Sequence, residues 1–126
     1  MKVHYLNIYN NLIKLTRNKS LFEKLNIQDS FYDRMIVFFI HFAFFLKIYK
    51  REENKQYMQN LYDFVFDQTN ISLQEAGHGD TTINKKMKYY VSIFHSIIKK
   101  IDRWESLKKV EKSNFFSSFF EHSIES

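Results

Sequence analysis

The chain has 126 residues and a formal net charge of +5, with 19 lysines and arginines against 14 acidic residues. This length supports one domain with a single core and excludes a catalytic-scale architecture such as a (β/α)8 barrel. Cysteine is absent, which excludes disulfides and thiolate metal sites. Met1-Lys2 leads into a polar stretch rather than an apolar signal segment, so we expect no signal peptide and a cytoplasmic protein.

The beginning of the chain has the apolar spacing of an amphipathic helix. Between residues 3 and 16, apolar side chains recur every three or four positions. Ser20, with an acidic residue three positions later, predicts a cap and a short helical turn that reaches about Leu25. The apolar face of the first helix is predicted to comprise Tyr5, Ile8, Tyr9, Leu12 and Leu15.

A helix from Phe31 to about Lys50 is predicted to be the centre of the fold, capped by Asp29 or Ser30. Its middle, MIVFFIHFAFFL, is apolar on every side except at His41. These twelve residues extend only about 18 Å as a helix, whereas a bilayer core is about 30 Å thick, so the segment is too short to span a membrane. We expect other helices to surround it, with a partly exposed hydrophobic groove as the alternative.

A third long helix is predicted after a polar loop at residues 51–57. We expect this helix to end near Ala76, because the two glycines of the chain, Gly77 and Gly79, follow and glycine readily takes positive φ. Its apolar positions have helical spacing and are Met58, Leu61, Tyr62, Val65, Phe66, Thr69 and Leu73.

The next helix is predicted to be apolar on one face and basic on the other. Asp80 is expected to cap it, with Thr81 or Thr82 as near-equivalent caps, and capping alone accounts for an aspartate there. The predicted apolar stripe is Ile83, Met87, Tyr90, Val91, Phe94, Ile97, Ile98 and Ile101. The predicted basic face is Lys85, Lys86, Lys88, Lys99 and Lys100.

The C-terminal region is rich in phenylalanine, and the spacing predicts a short final helix that lays rings on the body. Residues 1–126 are therefore predicted to form a single compact all-α domain of about five to six helices around the central apolar helix. The phenylalanines of the final helix are Phe115, Phe116, Phe119 and Phe120.

Charge is distributed unevenly along the chain. Residues 51–80 contain two basic and six acidic groups, whereas residues 81–112 contain nine basic and three acidic groups. A basic helix face beside an acidic helix is explained by complementary packing, by an anionic membrane or nucleic-acid partner, or by plain solvation, which is the commonest reason for such runs.

Catalytic and metal-binding motifs are missing from the sequence. The histidines have no metal-ligand spacing, and there is no glycine-rich phosphate loop or nucleophile elbow, so we expect no cofactor and no metal. His41 and His95 lie in apolar stripes and are interpreted as satisfied core histidines. His78 and Asp80 form the one polar cluster at a predicted loop, so a small enzyme that uses this pair is an alternative to a non-enzymatic protein.

The stretch LQEAGHGDTTINKKMK resembles the signature of the ubiquinol-cytochrome c chaperone family, in which a G-x-G-D corner precedes a basic K-[KR]-M-K helix start. Upstream segments are also similar, so the resemblance covers about residues 5–104. The matching positions at the corner are Leu73, Glu75, Gly77, Gly79, Asp80, Lys85, Lys86, Met87 and Lys88, and those upstream are Tyr9, Arg17, Leu25, Asp29, Arg34, Met35, His41 and Phe42.

The chain also departs from the family pattern at three places. Gln28 stands where the family has a proline, and Asp33 stands where it has a glycine. The family's F-Y-G-R is here Phe94-His95-Ser96-Ile97, so its second arginine is missing. We expect the fold to persist, because the apolar periodicity is intact.

The resemblance implies a non-enzymatic assembly factor for respiratory complex III. Family members bind newly made cytochrome b, work with a small partner protein and associate with the ribosome, which implies a peripheral location at the inner membrane, on the matrix side in organellar relatives. A second copy of the chain, forming a homodimer, is a further candidate partner. The alternative is a basic helical RNA-binding or ribosome-binding module without a client protein.

We expect the client to contact aromatic residues of the helix from Phe31 to Tyr49 and the terminal phenylalanines. The basic helix face is expected to lie toward the ribosome or an anionic membrane. Gly77 and Gly79 are predicted to form the structural corner. The predicted partner-binding residues are Arg34, His78, Asp80, Lys85, Lys86 and Lys88.

Overall fold

Six α-helices and two short 3-10 turns make up the parts of the chain that the computed structural model describes, residues 2–25 and 30–125. No strand occurs within these residues, so the predicted all-α fold is confirmed. The helices are α1 (Lys2–Thr16), α2 (Lys19–Leu25), α3 (Phe31–Tyr49), α4 (Lys55–Glu75), α5 (Asp80–Asp102) and α6 (Lys109–Glu125), and the 3-10 turns are Glu52–Asn54 and Trp104–Ser106.

The centre of the fold is α3, which packs against α1, α5 and α6. Phe39 and Phe42 are fully buried, and the centroid of each ring lies 5.3 Å from that of Phe94 on α5. Phe66 on α4 contributes a further ring, 5.5 Å from Phe39. Because each such side chain removes roughly 150–250 Å² from water, aromatic burial dominates the core. No helix in the described residues is long and apolar enough to cross a membrane.

Short polar side chains cap α2 and α3. The Oδ1 of Asn18 accepts a hydrogen bond from the Ser20 N–H at 3.0 Å, so the prediction of Ser20 as the cap is wrong. Ser20 lies inside α2, where its own N–H still needs an acceptor. At α3 the Oγ of Ser30 accepts the Asp33 N–H at 3.1 Å, which confirms one of the two predicted caps. The other predicted cap, Asp29, lies outside the described residues.

The buried face of α1 turns by one residue at its C-terminal end. Tyr5 and Leu12 are buried as predicted, but Leu15 is 60% exposed and Thr16 is buried in its place. The Oγ1 of Thr16 donates to the Ile13 carbonyl at 2.9 Å, so its hydroxyl is satisfied within the helix. This hydrogen bond lets a threonine occupy a buried position that apolar spacing assigned to leucine.

The connection between α3 and α4 is shorter than the predicted loop at residues 51–57, because Glu52–Asn54 form a 3-10 turn and α4 follows immediately. The Oδ1 of Asn54 accepts the Arg51 N–H at 2.7 Å, and its Nδ2 donates to the Tyr49 carbonyl at 2.7 Å. One amide side chain thus holds both ends of the connection.

The last helix, α6, has 17 residues and is longer than predicted. Trp104 joins it to the core: its ring centroid lies 5.4 Å from Phe115 of α6 and 5.3 Å from Phe44 of α3. Phe115 and Phe120 are each only 2% exposed. These two phenylalanines therefore belong to the core and do not provide the exposed apolar surface that we expected of them.

Candidate functional site

The corner between α4 and α5 contains both glycines of the chain, and its backbone geometry depends on Gly77. Gly77 has φ +91°, a conformation that L side chains rarely adopt. The Gly77 N–H donates to the Gln74 carbonyl at 3.0 Å, and the His78 N–H donates to the Leu73 carbonyl at 3.3 Å. This pair of bonds is the Schellman arrangement that satisfies the last carbonyls of a helix. The predicted end of α4 near Ala76 is confirmed.

The start of α5 differs from the prediction. Gly79, with φ −79° and ψ 165°, occupies the N-cap position, and its carbonyl accepts the Ile83 N–H at 2.9 Å. Asp80 is the first helical residue, so its predicted role as the cap is wrong. Neither Asp80 nor Thr81 or Thr82, all described and all exposed, accepts a hydrogen bond from an amide of the first turn. Capping therefore does not account for this exposed carboxylate.

The residues predicted to bind partners lie in three separate settings. Arg34 lies in the first turn of α3, whereas His78 and Asp80 lie at the corner, where no hydrogen bond or ion pair joins their described side chains. Within the described part of the chain, no group of three histidine, cysteine or acidic side chains is placed to hold a metal ion. Of the predicted lysines, Lys85 and Lys88 are exposed. Lys86 is half-buried.

The exposed face of α5 carries a continuous row of cations and hydroxyls, which we call the basic stripe. Its members recur three or four residues apart and therefore lie on one line along the helix, over about 27 Å. None of its four cations forms an ion pair with any residue that the structure describes. The basic stripe consists of Lys85, Lys88, Ser92, Ser96, Lys99 and Arg103.

Lys100, predicted for the same basic face, lies outside the stripe because it points toward α6. It is half-buried, with its Nζ 5.3 Å from the centre of the Phe119 ring. A cation over an aromatic face is a stabilising contact within the protein. Lys100 is therefore occupied with α6, and Lys99 remains in the stripe.

A cluster of tyrosines adjoins the basic stripe. Tyr89 is 49% exposed, and its ring centroid lies 6.4 Å from that of Tyr32. Burial, followed by the neighbouring Tyr89, raises the pKa of Tyr32 well above its usual value. The Tyr32 hydroxyl donates to the Phe119 carbonyl at 3.1 Å, so this tyrosine stays neutral and connects α3 to α6.

Exposed apolar side chains occur at the C-terminal end of α3, beyond its buried middle. Ile48 is 62% exposed and Tyr49 is 51% exposed. The Tyr49 ring packs 4.8 Å from that of Phe45, measured between centroids. Next to them Lys47 forms an ion pair with Glu105 at 3.0 Å, and this contact holds the pKa of Glu105 below its usual value. The end of α3 is thus held in place while its last two apolar residues face solvent.

The two histidines interpreted as core residues have different outcomes. His41 is half-buried, with its Nδ1 2.8 Å from the Val37 carbonyl, so it is satisfied as predicted. His95 is exposed, and its Nε2 lies 3.2 Å from the Tyr62 hydroxyl. The core interpretation of His95 is wrong, because one residue after the buried Phe94 already turns about 100° away from the core.

Comparison with known proteins gives one match. A family model described as ubiquinol-cytochrome C chaperone matches residues 23–110, more than half of the chain. The matched range includes α3, the glycine corner and the whole basic stripe. No curated protein and no solved structure matches the chain.

Proposed function

The chain belongs to the ubiquinol-cytochrome C chaperone family, and on this premise we propose that it assists the assembly of respiratory complex III by binding newly made or newly inserted cytochrome b. The family match carries the proposal. A helper for a membrane protein must cover apolar helices of its client while they lack their final partners, and for this it needs an exposed apolar surface on a rigid support.

The end of α3 meets this requirement best. Ile48 and Tyr49 project from the last turn of a helix whose body is fixed in the core, and the Lys47–Glu105 ion pair lies beside them. An apolar side chain on a rigid element loses little conformational freedom on binding, which favours affinity. We therefore assign client contact to the end of α3 in place of the terminal phenylalanines.

The test compares Ile48→Asn with a matched control, Leu15→Asn. Both positions are the penultimate residues of their helices, and their exposures, 62% and 60%, are nearly equal. We expect Ile48→Asn to lower recovery of cytochrome b with the tagged protein and to reduce assembled complex III in a deletion strain. Leu15→Asn should leave both at the level of the unchanged protein. Equal recovery with the two variants would reject the end of α3 as the client surface.

The basic stripe is the part of the surface best suited to an anionic partner, and we assign it to the ribosome or to the anionic face of the inner membrane. Four cations lie along about 27 Å, none of them in an ion pair with a residue that the structure describes, and such a positive surface attracts phosphate groups. A peripheral location at the inner membrane, on the matrix side in organellar relatives, follows from this assignment.

Neutralising three lysines tests the stripe. The triple variant Lys85→Gln, Lys88→Gln, Lys99→Gln is compared with Lys14→Gln, Lys55→Gln, Lys109→Gln, which removes the same charge from exposed positions elsewhere. Co-sedimentation with ribosomes, and separately with anionic vesicles, is measured over a range of salt concentrations. We expect the stripe variant to lower the slope of log affinity against log salt by about two to three, since each contact contributes somewhat less than one. Equal slopes for the two variants would remove the stripe from the interface.

The second candidate is a ribosome-binding or RNA-binding module that has no client protein. The observation that favours it is the basic stripe, whose cations form no ion pair with the described residues. Two measurements together distinguish the two proposals. If Ile48→Asn leaves complex III assembly intact while the stripe variant abolishes ribosome association, the module without a client is the better description.

The corner residues complete the proposal. Asp80 and His78 are available for a small partner protein, since Asp80 is exposed and accepts no amide of the described first turn of α5. Arg34 on α3 and Lys86 on α5 are proposed as separate partner contacts, and a homodimer is the competing assembly. Tandem purification followed by mass measurement of the intact complex distinguishes a heterodimer from a homodimer.

A further inference from the structure

A small cleft of about 80 Å³ lies where α1, α3 and α4 meet. Its apolar part includes Ile13 and Met35, and its polar part includes the Tyr9 hydroxyl, Ser72 and the side chains of Arg17 and Arg34. Apolar side chains and hydrogen-bond donors therefore line the same cleft. Sites of this kind, apolar with a few converging polar groups, are typical of ligand pockets.

Arg17 is the group that gives the cleft its charge. Its guanidinium forms no hydrogen bond or ion pair with any side chain whose placement the structure describes. Arg34 has a further interaction within the protein, as does its neighbour Asp33, so less of its charge is available to a ligand. Guanidinium groups bind carboxylates and phosphates through two parallel hydrogen bonds, which makes an unpaired arginine at a cleft a selective anion contact.

The charge of Arg17 reaches the interior of the cleft. Burial raises the pKa of Tyr9, and Arg17 opposes this rise more strongly than the acidic Glu75 adds to it. The Ser72 hydroxyl acts on Tyr9 in the same direction as Arg17. The charge of Arg17 therefore outweighs that of Glu75 at the Tyr9 hydroxyl, although burial still keeps the pKa of Tyr9 above its usual value.

We propose that this cleft binds the anionic end of an amphiphile, with a carboxylate or phosphate group against Arg17 and the first carbons of an apolar chain against Ile13 and Met35. The cleft is too small for a nucleotide, so the ligand class is a fatty acid or a phosphate-bearing lipid. The site is distinct from the basic stripe and from the end of α3, and it does not depend on the client proposed for them.

The experiment titrates the full chain with decanoate and with decyl phosphate, each below its micelle-forming concentration, and with acetate and inorganic phosphate as chainless probes. Isothermal calorimetry gives the affinity, and amide chemical shifts locate the site. We expect saturable binding of one amphiphile per chain, with the largest shifts around Thr16, Arg17 and Ser72. Tighter binding of decanoate identifies a fatty acid, and tighter binding of decyl phosphate identifies a phospholipid headgroup.

Matched variants decide whether Arg17 is responsible. Arg17→Gln should weaken binding by about tenfold or more, whereas Lys14→Gln, which removes the same charge from the exposed side of α1, should change it less than about twofold. Ser72→Phe fills the cleft and should abolish binding. If one variant fails to fold, as judged by circular dichroism, the other still decides.

Several results would overturn the proposal. Equal weakening by Arg17→Gln and Lys14→Gln would show that the amphiphile responds only to net charge. Acetate or phosphate binding as tightly as its decyl derivative would show that the apolar part of the cleft is not used. Tighter binding of an apolar peptide through its free C-terminal carboxylate would assign the cleft to a protein terminus.

Discussion

Gly77 and Gly79 are two residues apart, yet their backbones carry different constraints. Gly77 needs a φ of +91°, whereas Gly79 has a φ of −79° that any residue can adopt. A Cβ at either position would meet no atom within 4 Å, so the difference between them is conformational and not steric. The two glycines of the corner therefore differ in how strongly the backbone requires them.

Alanine substitution separates these causes. We expect Gly77→Ala to lower the free energy of unfolding by about 1–2 kcal/mol, the cost of a left-handed conformation for an L residue. Gly79→Ala should lower it by less than about 0.5 kcal/mol, because the loss of a favourable N-cap residue is largely offset by the lower entropy of the unfolded chain. Urea unfolding followed by circular dichroism measures both. Equal losses at the two positions would contradict the assignment of strain to Gly77 alone.

Asp80 has a different role from the one its sequence position indicates. A capping aspartate loses about 1 kcal/mol of stability on replacement by alanine, whereas a carboxylate at the first helical position contributes through the helix dipole alone, about 0.3–0.5 kcal/mol. We therefore expect Asp80→Ala to cost less than about 0.5 kcal/mol in urea unfolding. Ser30→Ala, which removes an observed cap on α3, is the control and should cost about 1 kcal/mol.

At the scale of helices, the contact between α3 and α5 forms a central part of the aromatic core. Phe94 is fully buried, stacks on Phe42 with an interplanar angle of 14°, and also contacts Phe39. Such packing joins two helices that are far apart in sequence. The same helix, α5, presents the basic stripe on its other side, so the core supports the helix that carries the stripe.

Truncating this ring tests how much the helix pair contributes. We expect Phe94→Ala to lower the free energy of unfolding by about 3–5 kcal/mol, because a large cavity forms in an interior that packs rings on several sides. Tyr89→Ala, on the same helix but 49% exposed, should cost less than about 1 kcal/mol. A small loss at Phe94 would mean that the rings around it collapse into the space.

Much of this helical arrangement could be predicted from apolar periodicity. The apolar face of α5 and the central position of α3 both follow from the spacing of apolar residues, and the structure confirms both. Cap identity could not be predicted so well, because Asn18 and Ser20, or Gly79 and Asp80, compete within two residues and the choice depends on where the preceding chain arrives. The exchange of Leu15 and Thr16 at the end of α1 depends on tertiary packing that periodicity does not contain.

The candidate site was predictable only in part, for a similar reason. The exposed lysines of α5 follow from the helical spacing, whereas Lys100 packs on a phenylalanine of a different helix. The exposed end of α3 was hidden in the sequence, since Ile48 and Tyr49 continue an apolar run whose other members are buried. The cleft at Arg17 depends on three helices and has no local sequence signal.

At the scale of the whole molecule, several partly buried tyrosines make stability sensitive to high pH. Burial raises the pKa of Tyr9, Tyr32, Tyr62 and Tyr90 above 10.0 in the folded protein. The unfolded chain then releases these protons at lower pH than the folded chain, so the folded state is favoured in full below about pH 10 and loses this advantage as the pH rises through the raised pKa values.

We therefore expect the free energy of unfolding contributed by these tyrosines to be constant between about pH 7 and 9 and to fall steadily above pH 10. Urea unfolding at a series of pH values measures this loss. The variant Tyr90→Phe should show a smaller decrease between pH 9 and 11 than the unchanged protein, because one raised pKa is removed. An identical decrease would assign the alkaline loss to other groups.

The chain has a single tryptophan, and it lies at the junction of α3 and α6, where the Nζ of Lys112 lies 5.4 Å above its ring. Its fluorescence is therefore an intrinsic optical reporter on the seating of the C-terminal helix. Emission should shift to longer wavelength when that helix detaches, even while the rest of the protein keeps its circular dichroism. Mixing the unlabelled protein with lipid vesicles, which contain no tryptophan, would then reveal directly whether a membrane loosens this helix.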